Sequence, residues 1–154
     1  MINTDYKKSG LASLKGPLDD LEIAEKVFEA KEFKVFVIRN SDNILEDVCG
    51  LIEEKQINDS DVVQFFFSGH GIHKATAKKG LFAKGNEKET EFDQEGELGD
   101  CLVGTDGTLC EELLLSWQIS ECLKEDASMC FFYDMCRNEG KVCNDPKCDR
   151  YCYL

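Results

Sequence analysis

Residues 61–71, DVVQFFFSGHG, and residues 129–137, MCFFYDMCR, decide the fold. Each stretch begins with a short run of β-branched or aromatic residues, and each leads to a reactive side chain, His70 in the first and Cys136 in the second. Short apolar runs that end at glycine or at a charged residue are typical of strands buried on both faces of a parallel sheet. Ligands bind open α/β sheets beyond the carboxyl ends of such strands, so we expect His70 and Cys136 to meet at one rim. A cysteine and a histidine that meet there are a candidate nucleophile and proton carrier.

The rest of the chain alternates helical and strand patterns. Apolar residues recur at helical spacing in three stretches, about residues 18–30, 44–52 and 111–124. Residues 33–38 predict a buried strand, and Trp117 is expected on the apolar face of the third helix. The charged, glycine-dotted stretch 74–107 is long enough to predict a functional loop or hairpin rather than a packed element. This order predicts an α/β fold, a three-layer sandwich in which a mainly parallel sheet lies between helices connected by right-handed crossovers.

Length and composition indicate one folded domain. The chain has 154 residues, of which 42% are hydrophobic and 32% charged, so it is long enough to bury a core and is not disordered by composition. No apolar run approaches the roughly 20 residues that a membrane span needs, and the polar N-terminus has no signal-peptide core. We therefore expect a cytoplasmic protein that does not bind membranes.

The net charge of −13 limits the partners. Nucleic acids and phosphates recruit clustered Lys and Arg, so a nucleic-acid partner is not expected, whereas basic peptides are compatible with the charge. Residues 87–100 are rich in Asp and Glu and predict an exposed loop. A calcium site there is the alternative, since carboxylates bind calcium only where they converge in space. No other cofactor or metal is expected.

The nine cysteines are expected to be reduced, because their number is odd and no export signal is present. Cys49, Cys122 and Cys130 lie within apolar patterns, where a free cysteine packs as a small hydrophobe. The cysteines of the C-terminal tail, residues 143–154, have no Cys-x-x-Cys pair and no nearby histidine, so we do not expect them to bind zinc.

Two motifs resemble the catalytic motifs of the caspase-like cysteine proteases: residues 65–71, FFFSGHG, and residues 131–137, FFYDMCR. The DMCR sequence is most similar to paracaspases, with metacaspases the next best match. Residues 14–20, LKGPLDD, resemble the segment that opens the family's first helix, and residues 100–107, DCLVGTDG, resemble a stretch in which the family usually has proline in place of Gly104.

The resemblance implies a caspase-like large-subunit domain over residues 1–142, followed by the Cys-rich tail. Residues 1–6 resemble only the end of the family's first core strand, and the residues after Cys136 are too few for its last strands and helices. We therefore expect a fold that is incomplete at both ends. Two interpretations remain open: a protease half completed by a small-subunit chain or by homo-oligomerisation, and a non-catalytic interaction module that pairs with a complete protease.

In the enzyme interpretation, the thiolate of Cys136 attacks a peptide carbonyl. His70 either assists deprotonation of the thiol or protonates the departing amine. The backbone N–H groups of Gly71 and Cys136 are the expected oxyanion donors. Taken alone, His70 is better interpreted as a capping residue after a strand and Cys136 as a buried thiol, whereas the two motifs together favour catalysis.

The resemblance also implies specificity. Asp20 and Asp134 match positions that face the substrate residue before the scissile bond in paracaspases and metacaspases, so a basic peptide or protein cleaved after Arg or Lys is the expected substrate. Caspases that cleave after aspartate have basic residues in this pocket. Asp19 replaces Asp20 if the register shifts by one, and Asp20 could instead be a first-turn acid favoured by the helix dipole. His73 is expected to be a solvent-facing loop residue.

Overall fold

The computed structural model of the chain describes residues 1–57, 61–73, 100–123 and 128–135. Cys136, most of the predicted loop and the C-terminal tail lie outside these residues. The predicted calcium site and the expectation about tail zinc binding therefore stay predictions.

The three predicted helices are present. They are α1 (Gly16–Glu29), α2 (Ile44–Lys55) and α3 (Glu112–Leu123). α1 begins at Gly16 with Pro17 in its first turn, where proline's missing N–H costs no hydrogen bond. α2 is capped by Asn43, whose side-chain oxygen accepts the N–H of Glu46 at 3.3 Å.

The predicted apolar face of α3 is partly wrong. Trp117 is 52% exposed, whereas Leu115, Ile119 and Leu123 are buried. These three residues follow one another at intervals of four and form the stripe that faces the sheet. Apolar residues occur on all sides of this helix, so its sequence has no clear amphipathic pattern. The prediction therefore placed the large indole ring on the buried face by its apolar character alone.

Two parallel strands form the centre of the domain, as predicted. β1 (Val62–Ser68) pairs with β5 (Ser128–Asp134), the last described strand of the chain. Their register places Val62 opposite Ser128 and Ser68 opposite Asp134. α2 and α3 pack with Phe65 and Phe67 on one face of this pair, and α1 lies on the other. These layers form the three-layer α/β arrangement.

The expectation that both strands are buried on both faces is wrong for β5. Cys130 and Phe132 lie on the same side of the sheet as α1, but both are exposed. Cys130 therefore does not pack as a core residue. The ring of Phe28 in α1 approaches this part of β5, with its centroid 6.4 Å from that of Phe132. α1 covers β1 and leaves this face of β5 partly exposed.

A second, antiparallel sheet has the order β2 (Gly71–His73), β3 (Asp100–Val103) and β4 (Leu109–Glu111). β3 lies within the stretch predicted as a loop or hairpin, yet Leu102 and Val103 are fully buried. The described part of that stretch is therefore a packed hairpin, and only residues 74–99 lie outside the description.

Gly104, in the turn between β3 and β4, explains why proline would not fit there. Its N–H donates to the carbonyl of Thr108 at 2.7 Å, and proline has no N–H to donate. A Cβ atom at this position would lie 2.2 Å from the carbonyl oxygen of Asp42. The departure from the family pattern therefore matches the local packing of this chain.

The predicted strand at residues 33–38 is wrong as a buried strand. These residues are half-buried or exposed and form no strand ladder; only Arg39, which follows them, makes an isolated bridge, with Ile2. Ile2 also bridges Ser68 of β1, so residues 1–3 lie between the two segments. A strand pattern forms a strand only when a neighbouring strand supplies hydrogen bonds, and for most of this stretch the described residues supply none.

Candidate active site

β1 and β5 end side by side at one rim of the parallel sheet. Ser68 lies opposite Asp134, and the N–H of Gly69 donates to the carbonyl of Asp134 at 3.2 Å. His70 follows the paired end of β1 by two residues, and Cys136 follows the paired end of β5 by two residues in the sequence. The structure describes His70, whereas Cys136 lies outside the described residues.

The His70 imidazole is held in one orientation. The residue is 2% exposed, and its Nε2 lies 2.8 Å from the carbonyl oxygen of Ala12. A carbonyl oxygen only accepts, so Nε2 carries the hydrogen and Nδ1 is the acceptor of the neutral ring. Burial lowers the pKa of His70, and the hydrogen bond to Ala12 opposes this shift. A neutral imidazole with an accepting Nδ1 is suited to take up a proton.

Tyr6 fixes the backbone of His70 by interrupting a strand ladder. The carbonyl of His70 accepts the N–H of Val103 at 3.0 Å. The reciprocal bond is replaced by the Tyr6 hydroxyl, which accepts the N–H of His70 at 2.8 Å and donates to the carbonyl of Val103 at 3.4 Å. Its ring also packs edge-on against the imidazole, with the centroids 4.5 Å apart. Burial raises the pKa of Tyr6, so the hydroxyl stays protonated.

The two glycines beside His70 have different roles. A Cβ atom on Gly69 would lie 2.6 Å from the Tyr6 hydroxyl and 2.8 Å from the ring of Phe67, so only glycine lets Tyr6 reach His70. Gly71 pairs with Leu102 in the antiparallel register. Since His70 is bonded to Val103, the alternation of such ladders directs the N–H of Gly71 away from β3.

The structure brings Asp20 to the same rim. Ser68 Oγ donates to Oδ2 of Asp20 at 2.7 Å, and Ser68 lies opposite Asp134 in the strand register. Both predicted pocket acids therefore flank Ser68. Asp19 is an exposed residue in the first turn of α1 and does not share this contact, so Asp20 is the better candidate of the two.

His73 is not the loop residue that was predicted. It is the last residue of β2, half-buried and paired with Asp100 of β3. Its Nδ1 is buried, with no hydrogen-bond partner among the described residues. His73 therefore belongs to the second sheet, and its position does not support a role as a second catalytic base.

The groups that orient His70 and Asp20 were not predicted from the sequence. The Tyr6 hydroxyl and the Ala12 carbonyl contact His70 across separations of 64 and 58 residues, which no local pattern reveals. Ser68 was visible as part of the Ser-Gly-His-Gly motif, but nothing in that motif indicates a bond to Asp20.

Across residues 1–57, 61–73, 100–123 and 128–135, no group of three or more His, Cys, Asp or Glu side chains could hold a metal ion. In the same part of the chain, no helix has the length and apolar character needed to cross a membrane.

Comparison with known families agrees with this geometry. A family model described as Caspase domain matches residues 1–150. No curated protein matches the chain. The model spans almost the whole sequence, including both strands that end at the rim and the segments that carry Tyr6, Asp20 and His70. The chain therefore belongs to the caspase-domain family of cysteine peptidases.

Proposed function

We propose that the chain is the catalytic part of a cysteine endopeptidase that uses His70 and Cys136 and cleaves after arginine or lysine, as its resemblance to paracaspases and metacaspases implies. The observation that supports this proposal best is the fixed imidazole of His70 at the rim where β1 and β5 end in register. The motif that contains Cys136 follows directly from β5.

The chemistry follows from the tautomer. Nδ1 of His70 takes the thiol proton of Cys136, and the thiolate sulfur forms a bond to the substrate carbonyl carbon. The backbone N–H groups of Gly71 and Cys136 stabilise the negative oxygen of the tetrahedral intermediate. The C–N bond then breaks, and the imidazolium returns its proton to the departing amine. Water hydrolyses the resulting thioester and regenerates the thiol.

Specificity for a basic residue is attributed to Asp20 and Asp134. A guanidinium placed between two carboxylates forms paired, charge-assisted hydrogen bonds with both. The hydrogen bond from Ser68 holds the Asp20 carboxylate at the rim where β1 and β5 end. An aspartyl side chain at the same place would face two like charges and be rejected.

The nucleophile is tested with a peptide that has an electrophile after arginine. We expect labelling of the purified chain, alone or with an added complementing C-terminal half, to be lost in Cys136→Ala. It should be retained in the matched variant Cys130→Ala, which removes an exposed thiol from β5. His70→Ala should reduce turnover about 10²–10⁴-fold, while His73→Ala should leave it unchanged. Labelling that survives Cys136→Ala would refute the assignment.

The pocket is tested by comparing arginyl and aspartyl peptides. Asp20→Asn with Asp134→Asn should reduce arginyl cleavage far more than it reduces folding stability. Asp19→Asn, which neutralises the exposed neighbour, is the matched control. Equal rates on arginyl and aspartyl peptides in the parent chain would rule out the acidic pocket.

A second candidate function, a non-catalytic module that pairs with another chain, is supported by one observation. Residues 33–38 and β1 flank a cavity that holds no described strand beyond residues 1–3. Absence of labelling at Cys136 under all conditions, together with binding of another chain, would favour this candidate over the peptidase.

A further inference from the structure

α2 and α3 lie side by side on one face of the parallel sheet, and each has a cysteine at the edge of its packed face. In α2, Cys49 follows the buried Val48. In α3, Cys122 lies between the buried Ile119 and Leu123 in the sequence. Each cysteine therefore flanks the stripe that its helix packs on the sheet. The two flanks face each other, and the Cys49 thiol is hydrogen-bonded to the Cys122 thiol. We call these two residues the helix dithiol.

The helix dithiol differs in exposure from the other described thiols. Cys49 and Cys122 are half-buried, whereas Cys101 and Cys110 are buried and Cys130 is exposed. A half-buried thiol is accessible to a small reagent and is still held in place by its neighbours. Thiols in hydrogen-bond contact also need just a short approach to reach the disulfide bond length of about 2.0 Å. The helix dithiol therefore has both the access and the proximity that disulfide formation requires.

The surroundings of Cys49 determine which of the two thiols reacts first. The pKa of Cys49 is raised to about 12, first by burial and then by the Cys122 thiol and the Glu53 carboxylate. Cys49 therefore keeps its proton, and its S–H donates to the Cys122 sulfur and stabilises negative charge there. Cys122 is the member of the helix dithiol that becomes the nucleophilic thiolate. Cys110, a third thiol near Cys49, is buried, and burial raises its pKa to about 12 as well, so we do not expect it to compete.

We propose that the helix dithiol is a site of reversible disulfide formation with small-molecule disulfides such as oxidised glutathione. The Cys122 thiolate attacks one sulfur of the small disulfide, so that a mixed disulfide forms and the first small thiolate leaves. The Cys49 sulfur then attacks the Cys122 sulfur, the bond between Cys49 and Cys122 forms, and the second small thiolate leaves. The two protein thiols lose two electrons and two protons, and the small disulfide is reduced to two thiols.

The disulfide closes a loop that contains the part of the chain with His70. Residues 49–122 include β1, His70 and the three strands of the second sheet. A cross-link between residues this far apart in sequence reduces the entropy of the unfolded chain, so the oxidised chain should melt about 5–10 °C higher than the reduced chain. Neither thiol takes part in the peptidase chemistry proposed above. The disulfide is therefore measured equally well in Cys136→Ala, and the two proposals are tested separately.

The test equilibrates the full chain with Cys136→Ala in buffers of reduced and oxidised glutathione, and then blocks the remaining thiols. Cleavage after Lys, Arg and Glu places Cys49 in residues 47–53, Cys122 in residues 122–124 and Cys110 in residues 98–111, so mass spectrometry distinguishes the possible disulfides. Residues 47–53 should be joined to residues 122–124. At one buffer composition, the ratio of disulfide to dithiol should be about tenfold or more higher in the folded chain than in urea. Equal ratios, or a product that joins residues 47–53 to residues 98–111, would overturn the proposal.

Three serine variants assign the roles of the thiols. Cys122→Ser should lose both the linked product and the rise in melting temperature, whereas Cys130→Ser, which removes an exposed thiol on the other side of the sheet, should keep both. Cys49→Ser should retain glutathione on Cys122, because the second step is missing. Dithiothreitol should reverse every one of these changes. A rise in melting temperature that survives in Cys122→Ser, or glutathione that accumulates on Cys49 instead of Cys122, would refute the assignment.

Discussion

Replacing Tyr6 by phenylalanine should destabilise the chain by removing a single oxygen atom. The hydroxyl is the acceptor for the buried N–H of His70, at 2.8 Å, and Tyr6→Phe leaves that donor without a partner. A buried donor that loses its acceptor costs about 1–3 kcal/mol. The second bond of the hydroxyl contributes less, because the carbonyl of Val103 still accepts from Asn3 Nδ2 at 3.2 Å. We therefore expect a loss of about 1–3 kcal/mol in the free energy of unfolding.

Urea denaturation at pH 8 measures this loss, and Tyr6→Ala provides the comparison. The alanine variant also removes the ring, which is fully buried and packs against the imidazole, so it should lose about 3–5 kcal/mol. The difference between the variants separates the hydroxyl from the ring. The ¹⁵N chemical shifts of the His70 imidazole should also change in Tyr6→Phe. A stability within about 0.5 kcal/mol of the parent chain would refute the bridging role of the hydroxyl.

Two further changes have outcomes of known sign. Lowering the pH from 8 to 5 should destabilise the 154-residue chain, because the unfolded Met1 amine takes up a proton near its ordinary pKa of 8.0 and the folded one only near about 5. The free energy of unfolding should fall by up to about 4 kcal/mol from its value above pH 8. His70 should add to the loss, because burial also lowers its pKa. N-terminal acetylation should abolish the Met1 part, and urea titrations at constant salt measure both effects. Gly104→Ala should lower the melting temperature and cost about 1–3 kcal/mol, because its Cβ would displace the Asp42 backbone. Gly50→Ala in α2, where a Cβ meets nothing within 4 Å, should instead stabilise by about 0.5–1 kcal/mol, and destabilisation there with none at Gly104 would contradict this account.

The elements that the sequence predicted correctly are those defined by local patterns. β1 and β5 combine β-branched or aromatic runs with clear ends, and α2 combines an Asn43 cap with regular apolar spacing. Residues 33–38 have an equally strong strand pattern but form no strand, because a strand needs a neighbouring strand to bond with and the pattern of the segment does not supply one. Cys130 was misassigned for a related reason, since its burial depends on how far α1 extends over β5.

The candidate site divides in the same way. His70 and Asp20 were found because they lie in recognisable motifs, and their positions at the rim follow from the strand and helix that carry them. The groups that orient them come from distant parts of the chain, and two are nearly invisible in a sequence. The Ala12 carbonyl is backbone, which every residue has, and Tyr6 is one of four tyrosines. Interactions of this kind become apparent only when the tertiary structure brings the segments together.

The segment from Asn3 to Ala12 touches His70 at three places: the Tyr6 hydroxyl, the Tyr6 ring and the Ala12 carbonyl. Detaching this segment would leave the pairing of β1 with β5 intact, because none of its hydrogen bonds belongs to that ladder. The imidazole would nevertheless lose its orientation. We therefore expect that opening of residues 3–12, which also removes Tyr6 and Leu11 from their packing against the second sheet, releases His70 without breaking the β1–β5 ladder. Chemistry that depends on this histidine should disappear while the far-ultraviolet circular dichroism of the sheet is still native.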